Sequence, residues 1–232
     1  MTTDPLGSAD RPRRGGKVVF AAFSRSGVPR RVTKRAFDIV GAGLGLVVVS
    51  PLLVAAYVAV RLSSPGPALF RQTRLGHDGK PFDILKFRTM YVGADDAIHR
   101  EYVRQLLAGV AQPRNGLYKL DGDQRITRVG AILRRLSIDE LPQLVNVLRG
   151  EMSLVGPRPA LPWEGRMFPA WAAPRYWVRP GLTGLWQVSG RNQLTMLEGL
   201  QLDVEYVTRQ SLLLDLTILL RTVPTVLSAG GR

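Results

Sequence analysis

Residues Ile39 to Val60, IVGAGLGLVVVSPLLVAAYVAV, make a run of 22 residues without a charge, and this run constrains every fold open to the chain. About 20 apolar residues suffice to cross the hydrocarbon core of a bilayer as a helix. At its middle lie Ser50 and Pro51, and proline inside a helix removes a donor and crowds the preceding turn. Cations flank both ends, with Arg30, Arg31, Lys34 and Arg35 before the run and Arg61, Arg71 and Arg74 after it. Cationic flanks mark the cytoplasmic side of a membrane segment, and here both flanks qualify. Two arrangements satisfy these features, and both stay open on the residues alone. One is a helix broken at Ser50-Pro51 that enters the bilayer and returns on the same side. The other is a kinked helix that spans it.

With 232 residues, the chain accommodates one good-sized domain with appendages. It has no cysteine, which excludes disulfide frameworks and thiolate chemistry. Only His77 and His99 offer imidazole, so any metal is expected to be a hard cation on carboxylate oxygens, namely Mg²⁺. The formal charge is +14, and nine Lys/Arg fall in residues 1–35 against Asp4 and Asp10. Such a balance calls for a polyanionic partner: nucleic acid, anionic lipid or a phosphorylated substrate.

Residues 1–33, rich in Arg, Pro, Gly and Ser, read as a flexible basic arm without the layout of a secretory signal. Residues 68–75 and 81–88 read as strands around the turn at 76–80. Residues 94–110, 125–136 and 141–148 have helical patterns. Residues 156–191 hold six of the sixteen prolines and all four tryptophans, which suggests irregular structure between short elements. Residues 198–227 are helical in pattern, strongly apolar towards the end, yet interrupted by Asp215, Arg221 and Pro224. That suits an interfacial or core-packing helix.

Chemistry concentrates in Arg134 to Pro159, RRLSIDELPQLVNVLRGEMSLVGPRP, where Asp139 and Glu140 precede an amphipathic helix. Ser137 with Glu140 matches a capping box, although Pro142 then falls badly; capping by Asp139 would place that proline in the first turn. In either case the carboxylates sit at a helix N-terminus, where the dipole favours ionised carboxylate and bound phosphate alike. A carboxylate there could also act as a covalent nucleophile. Gly156-Pro-Arg158-Pro holds one guanidinium between residues of fixed φ. The segment Gly181 to Asn192 is glycine-punctuated and ends in Arg191-Asn192, suited to close approach to an anion. Asp121-Gly-Asp123 could hold a metal bound to a nucleotide diphosphate. Asp95-Asp96 reads as the first turn of a helix. For each of these the plain structural reading stays open.

In order, Lys34-Arg35-x-x-Asp38, the apolar run with Ser50-Pro51, Lys86-Phe-Arg-Thr-Met90, Ser137-Ile-Asp-Glu-Leu-Pro-Gln143, Gly156-Pro-Arg-Pro159 and Gly190-Arg-Asn192 resemble the bacterial sugar transferase family, whose members are monotopic polyprenyl-phosphate phosphoglycosyl transferases. The resemblance runs from about Lys34 to Leu227. It implies Asp139 as the nucleophile on the β-phosphate of a UDP-sugar, Glu140 as ligand of a Mg²⁺ cofactor, and Arg134, Arg158 and Arg191 as phosphate-binding residues. UMP would leave, and polyprenyl (undecaprenyl) phosphate would take the phosphosugar from the aspartyl intermediate, the first step of a cell-surface glycan such as exopolysaccharide or capsule. It implies that Ser50 and Pro51 mark a re-entrant hairpin, with Lys34, Arg35 and Asp38 at its start. Ile138 departs from the more usual Leu without consequence. The larger members carry a multi-span N-terminal region that this sequence lacks, so the expectation is a catalytic unit alone.

The expected fold is therefore α+β and mostly helical. A helix-break-helix membrane hairpin at 34–62 follows the arm, and a compact cytosolic catalytic domain at 63–227, with a small β-hairpin and interfacial helices, precedes a tail at 228–232. Expected partners are a UDP-sugar, polyprenyl phosphate and membrane lipids at the cytoplasmic face of the bacterial inner membrane, with no nucleic acid; a homodimer stays open. A nucleic-acid binder would explain the charge, but no recognition motif for one is present. A structural membrane protein would leave the ordered motifs unexplained. A metal-dependent glycosyl transferase using Asp121 and Asp123 would release UDP rather than UMP.

Overall fold

The computed structural model describes residues 28–93, 97–107, 123–190 and 194–229. The basic arm up to residue 27, Asp95-Asp96, Asp121 and Arg191-Asn192 lie outside the described residues. The apolar run forms helix α1, Val28–Ser63. A hairpin of β1 (Leu69–Leu75) and β2 (Pro81–Phe87) follows, then α2 (Ala97–Leu107), α3 (Arg128–Arg135) and α4 (Gln143–Arg149). Strand β3 (Ser153–Val155) and helix α5 (Pro162–Met167) lead to β4 (Gly181–Thr183), and α6 (Leu185–Val188), α7 (Met196–Arg209) and α8 (Leu212–Ala229) complete the chain. The described chain is mostly helical with two small sheets, one antiparallel (β1 with β2) and one parallel (β3 with β4).

Helix α1 is one 36-residue element with Pro51 inside it, so the break expected at Ser50-Pro51 is not a gap in helical structure. Pro51 has no amide to offer the carbonyl of Val47 four residues back. The hydroxyl of Ser50 donates to that carbonyl at 2.8 Å instead, so the missing bond is filled from the adjacent side chain.

One face of α1 lies on the domain along its length. Asp38, Ala42, Ala56 and Val60 are buried, and Leu46, Val49 and Leu53 are partly buried between them, at the three- and four-residue spacing of a helical stripe. The N-terminal half joins a core with Leu144, Val147, Leu154 and Tyr206. The C-terminal half joins another with Phe87, Leu133 and Ile138. The opposite face is apolar and bare, with Val47 73 % and Val48 77 % exposed.

Buried charge fixes the start of α1 on the domain. The Lys34 ammonium lies 3.0 Å from both Asp38 and Asp215, and both carboxylates are fully buried. Asp38 also accepts from the Ser153 hydroxyl and the Leu154 amide, while the Tyr206 hydroxyl bonds Asp215 at 2.7 Å and the Val155 carbonyl at 2.9 Å. Arg35 donates to the carbonyls of Val147 and Leu148 at the last turn of α4, where helix carbonyls lack intrahelical donors. Arg88 does the same for the end of α1, bonding the carbonyls of Ser64 and Pro65. Gly66 makes room for it: at φ +115°, a Cβ there would lie 2.2 Å from the Arg88 guanidinium.

Both expected strands match to within a residue, in register Leu69 with Phe87 through Leu75 with Pro81. The helix expected over 198–227 is instead two, α7 and α8, parted at Gln210-Ser211, where the Ser211 hydroxyl accepts the Leu214 amide. That turn folds α8 back so that its buried Asp215 faces Tyr206 and Lys34. The parallel pair β3–β4 had no sequence signal, because three-residue strands inside a proline-rich stretch are too short to show periodicity.

Replacing Lys34 by Met leaves two buried carboxylates facing each other without a cation. We expect a loss of about 3–5 kcal/mol, read as a lower thermal midpoint of the detergent-solubilised protein, with part recovered when Asp215→Asn is added. An unchanged midpoint for Lys34→Met would show that the network does not hold α1.

Candidate active site

Asp139 and Glu140 share a single 3-10 turn, Ile138–Glu140, that leads through Pro142 into α4. The preceding residue, Ser137, has φ 57° and ψ 19°, left-handed rather than the extended geometry of a helix cap, and its side chain caps nothing. The capping box expected from Ser137 and Glu140 does not form. Pro142 directly precedes α4, where its missing amide has no helical partner to lose. The two acids are thus presented, half-buried, on the turn between α3 and α4.

The position of that turn is set by Asn146, fully buried on α4. Its side chain accepts the Leu85 amide at 3.0 Å and donates to the Asp83 carbonyl at 2.8 Å, binding the outer edge of β2 as a further strand would. A third bond runs from its amide to Glu151. With α4 locked to β2, the ammonium of Lys86 on β2 lies 3.0 Å from Glu140 Oε1. Burial pushes the Lys86 ammonium below its ordinary pKa, Glu140 opposes that, Arg158 and Arg74 deepen it, and Asp139 opposes it in turn. Four charged groups from three other parts of the chain therefore act on Lys86: Glu140, Arg158, Arg74 and Asp139.

Arg158 acts on Lys86 from the Gly156-Pro-Arg-Pro loop. The loop is pinned by the Gly156 amide to Thr183 and by the Gly181 amide to the Pro157 carbonyl, continuing the β3–β4 pairing. Arg134 sits on the last turn of α3, just before Ser137, and its charge also helps hold Asp123 ionised. Arg191 is outside the described residues. Lys34, Arg35 and Asp38 do not join the cluster; they fasten α1 at the other end of α4, while Ser50 and Pro51 lie exposed on α1.

Asp123, half of the alternative metal pair, has both carboxylate oxygens engaged by Arg125, at 2.7 Å and 2.6 Å. Those bonds hold its carboxyl below the usual range. Among the described residues, no group of three or more metal-type side chains gathers. Asp139 and Glu140 nevertheless fit Mg²⁺, which commonly takes one or two carboxylates and completes its shell with water and substrate phosphates. A site of that kind is finished by its substrate rather than enclosed by protein.

Sequence reading missed the roles of Lys86, Asn146 and Arg74. Lys86 stood within a recognised motif without an assigned partner, and Asn146 was hidden in an otherwise apolar helix pattern. The one available signal was an acid or amide placed in an apolar run, which must find a buried partner.

Comparison with known proteins agrees with the motif order. The family model described as bacterial sugar transferase matches residues 29–229. The exopolysaccharide production protein ExoY of Rhizobium meliloti (strain 1021) is 41 % identical over 200 residues, 86 % of this chain and 88 % of that protein. A UDP-glucose:undecaprenyl-phosphate glucose-1-phosphate transferase of Caulobacter vibrioides is 48 % identical over 207 residues, 85 % of this chain and 71 % of that protein. The undecaprenyl-phosphate galactose phosphotransferase of Salmonella typhimurium is 38 % identical over 201 residues, 87 % of this chain and 42 % of that protein. With the family model covering all the described residues but Val28, the chain belongs to the bacterial sugar transferase family.

Proposed function

We propose that this protein moves a phosphosugar from a UDP-sugar to polyprenyl phosphate, with Asp139 as covalent nucleophile. The observation that carries this is the Asp139-Glu140 turn set against Lys86 and Arg158, in a chain similar to enzymes named as undecaprenyl-phosphate sugar phosphotransferases. A carboxylate approaching a diphosphate meets like charge, and the surrounding cations offset that repulsion. An Asp139 oxygen attacks the β-phosphorus, the bond to the bridging oxygen breaks, and UMP departs with that electron pair. A phosphate oxygen of the lipid then attacks the same phosphorus, and the Asp139 carboxylate is restored.

Arg158 and Arg134 bind substrate phosphate in this scheme, as does Arg191. Lys86 holds Glu140 in place before substrate arrives. Mg²⁺ held by Glu140 would neutralise diphosphate charge. The sugar is left open, since relatives are named for glucose and for galactose.

The acceptor is a lipid, so the site belongs at the membrane surface. Among the described residues one helix, Arg31–Ser63, is long and apolar enough to cross a bilayer. Both of its ends pack on the same domain, which favours entry and return on one side over spanning. Cationic flanks favour the cytoplasmic side of the inner membrane. Helix α8 adds an exposed stripe of Leu213, Leu216, Leu220 and Val223, at the spacing of an interfacial helix.

Asp139→Asn should lower kcat on the order of 10⁴-fold or more while leaving thermal unfolding unchanged; substantial residual turnover would remove Asp139 as nucleophile. The nucleotide released with undecaprenyl phosphate as acceptor should be UMP, and UDP would favour direct glycosyl transfer instead. Activity should also have an alkaline limb below pH 10.5, the ordinary Lys86 value. The cationic form is the one that holds Glu140, so activity falls as pH rises through the depressed Lys86 pKa. Lys86→Arg should push that limb upwards, and a limb insensitive to this change would show that Lys86 does not set it.

Because the chain has no cysteine, Val32→Cys and Leu62→Cys would be single reporters of sidedness. Both should label from the cytoplasmic side, with Pro51→Ala shifting one to the far side as the helix straightens. Opposite sidedness in the parent would overturn the hairpin.

A further inference from the structure

The loop that carries Arg158 is gripped at successive carbonyls by two arginines that the proposed chemistry does not use. Arg175 Nη2 donates to the Arg158 carbonyl at 2.6 Å, and Arg74 Nη1 donates to the Pro159 carbonyl at 3.1 Å. Both guanidiniums are buried, Arg175 at 3 % exposure and Arg74 at 7 %. Each has its own buried carboxylate. Asp203 on α7 takes Nε and Nη2 of Arg175 at 3.2 Å and 2.7 Å, and Glu164 on α5 lies 3.9 Å from Arg74. Glu164 is itself held by the Leu161 amide at 2.7 Å, and the Arg175 guanidinium also lies over the rings of Phe168 and Tyr176.

Buried ion pairs of this kind are a costly way to gain stability, since apolar residues of similar volume do as well or better. What they supply is direction. A planar guanidinium can fork between a carboxylate and a carbonyl and fix both. Here Arg175 forks between Asp203 and the Arg158 carbonyl, while Arg74 divides between the Pro159 carbonyl and the Gln72 side chain with Glu164 beside it, in a loop whose other side is already fixed by β4.

We propose that Arg175 with Asp203, and Arg74 with Glu164, are positioning residues that clamp the Gly156-Pro-Arg-Pro loop and aim Arg158 at the substrate diphosphate. This rests on the reading of Arg158 as a phosphate-binding residue. Neither arginine touches a reacting atom; Arg175 acts through Arg158, and Arg74 acts through the same loop and through its charge on Lys86. Two consequences follow. Changes in α7 at Asp203 reach the chemistry through Arg175. In addition, substitution of Arg175 by Lys should damage catalysis although the buried charge is kept, because an ammonium cannot span Asp203 and the Arg158 carbonyl as a fork does.

The test is a double-mutant cycle on kcat/KM, measured as UMP release from UDP-glucose and UDP-galactose with undecaprenyl phosphate. Arg175→Lys should cost about tenfold or more in the parent and less than about twofold when Arg158→Ala is already present. Equal losses in both backgrounds would mean a purely structural role and overturn the clamp. If Arg158→Ala alone changes nothing, the phosphate reading of Arg158 falls and the clamp has nothing to aim, a distinct result from the first. Thermal unfolding in detergent accompanies each variant. Should Arg175→Lys fail to fold, Arg74→Lys decides by the same cycle, through the neighbouring carbonyl of Pro159.

Discussion

The architecture depends on a single ammonium group placed between two buried acids. Lys34 and Asp38 are one turn apart on α1, and Asp215 comes from α8 at the other end of the chain. Burial pushes the Asp215 carboxyl above its ordinary range, and the Lys34 charge is the largest influence restoring it. Through Ser153, Leu154 and Tyr206 the same few atoms also fix β3 and α7. A helix with apolar residues on both its packed and its bare face needs something beyond hydrophobicity to set its rotation and height. Directional bonds to buried charge provide that reference.

From this anchor a mechanical line runs to the Asp139-Glu140 turn. Arg35, next to Lys34, holds the C-terminal carbonyls of α4, and Arg179 holds the Gly150 carbonyl just beyond. The N-terminal end of the same short helix follows directly from Asp139-Glu140. Asn146, midway along α4, locks it to β2 and hence to Lys86. The start of α1 and the acidic pair are thereby tied to opposite ends of the same short helix.

Much of this was legible in the residues because it obeys local rules. The β-hairpin showed its alternation and its glycine-bounded turn, and the long apolar run announced a membrane element. Asp139 and Glu140 stood out only through the motifs around them, since any acid pair before a helix is also a plausible cap. Ser137 decides that question in the structure through its left-handed φ, which no sequence pattern reveals. The bend at Gln210-Ser211 was masked by apolar residues on both sides of it. Long-range pairs such as Arg175 with Asp203 or Lys34 with Asp215 were invisible for a simpler reason. Their partners lie far apart in the chain, and only tertiary packing brings them together.

The hydrogen bond from Ser50 to the Val47 carbonyl makes Ser50 and Pro51 a single unit rather than two neighbours. Proline leaves the Val47 carbonyl without its backbone donor, and the serine next to it supplies that bond from within the helix. The two substitutions are therefore unequal in what they leave behind. Losing the proline returns an amide and an ordinary helix, whereas losing the serine first leaves that carbonyl without a donor on the helix. Any sequence drift at this site has a preferred order, with the serine free to go only once the proline has gone.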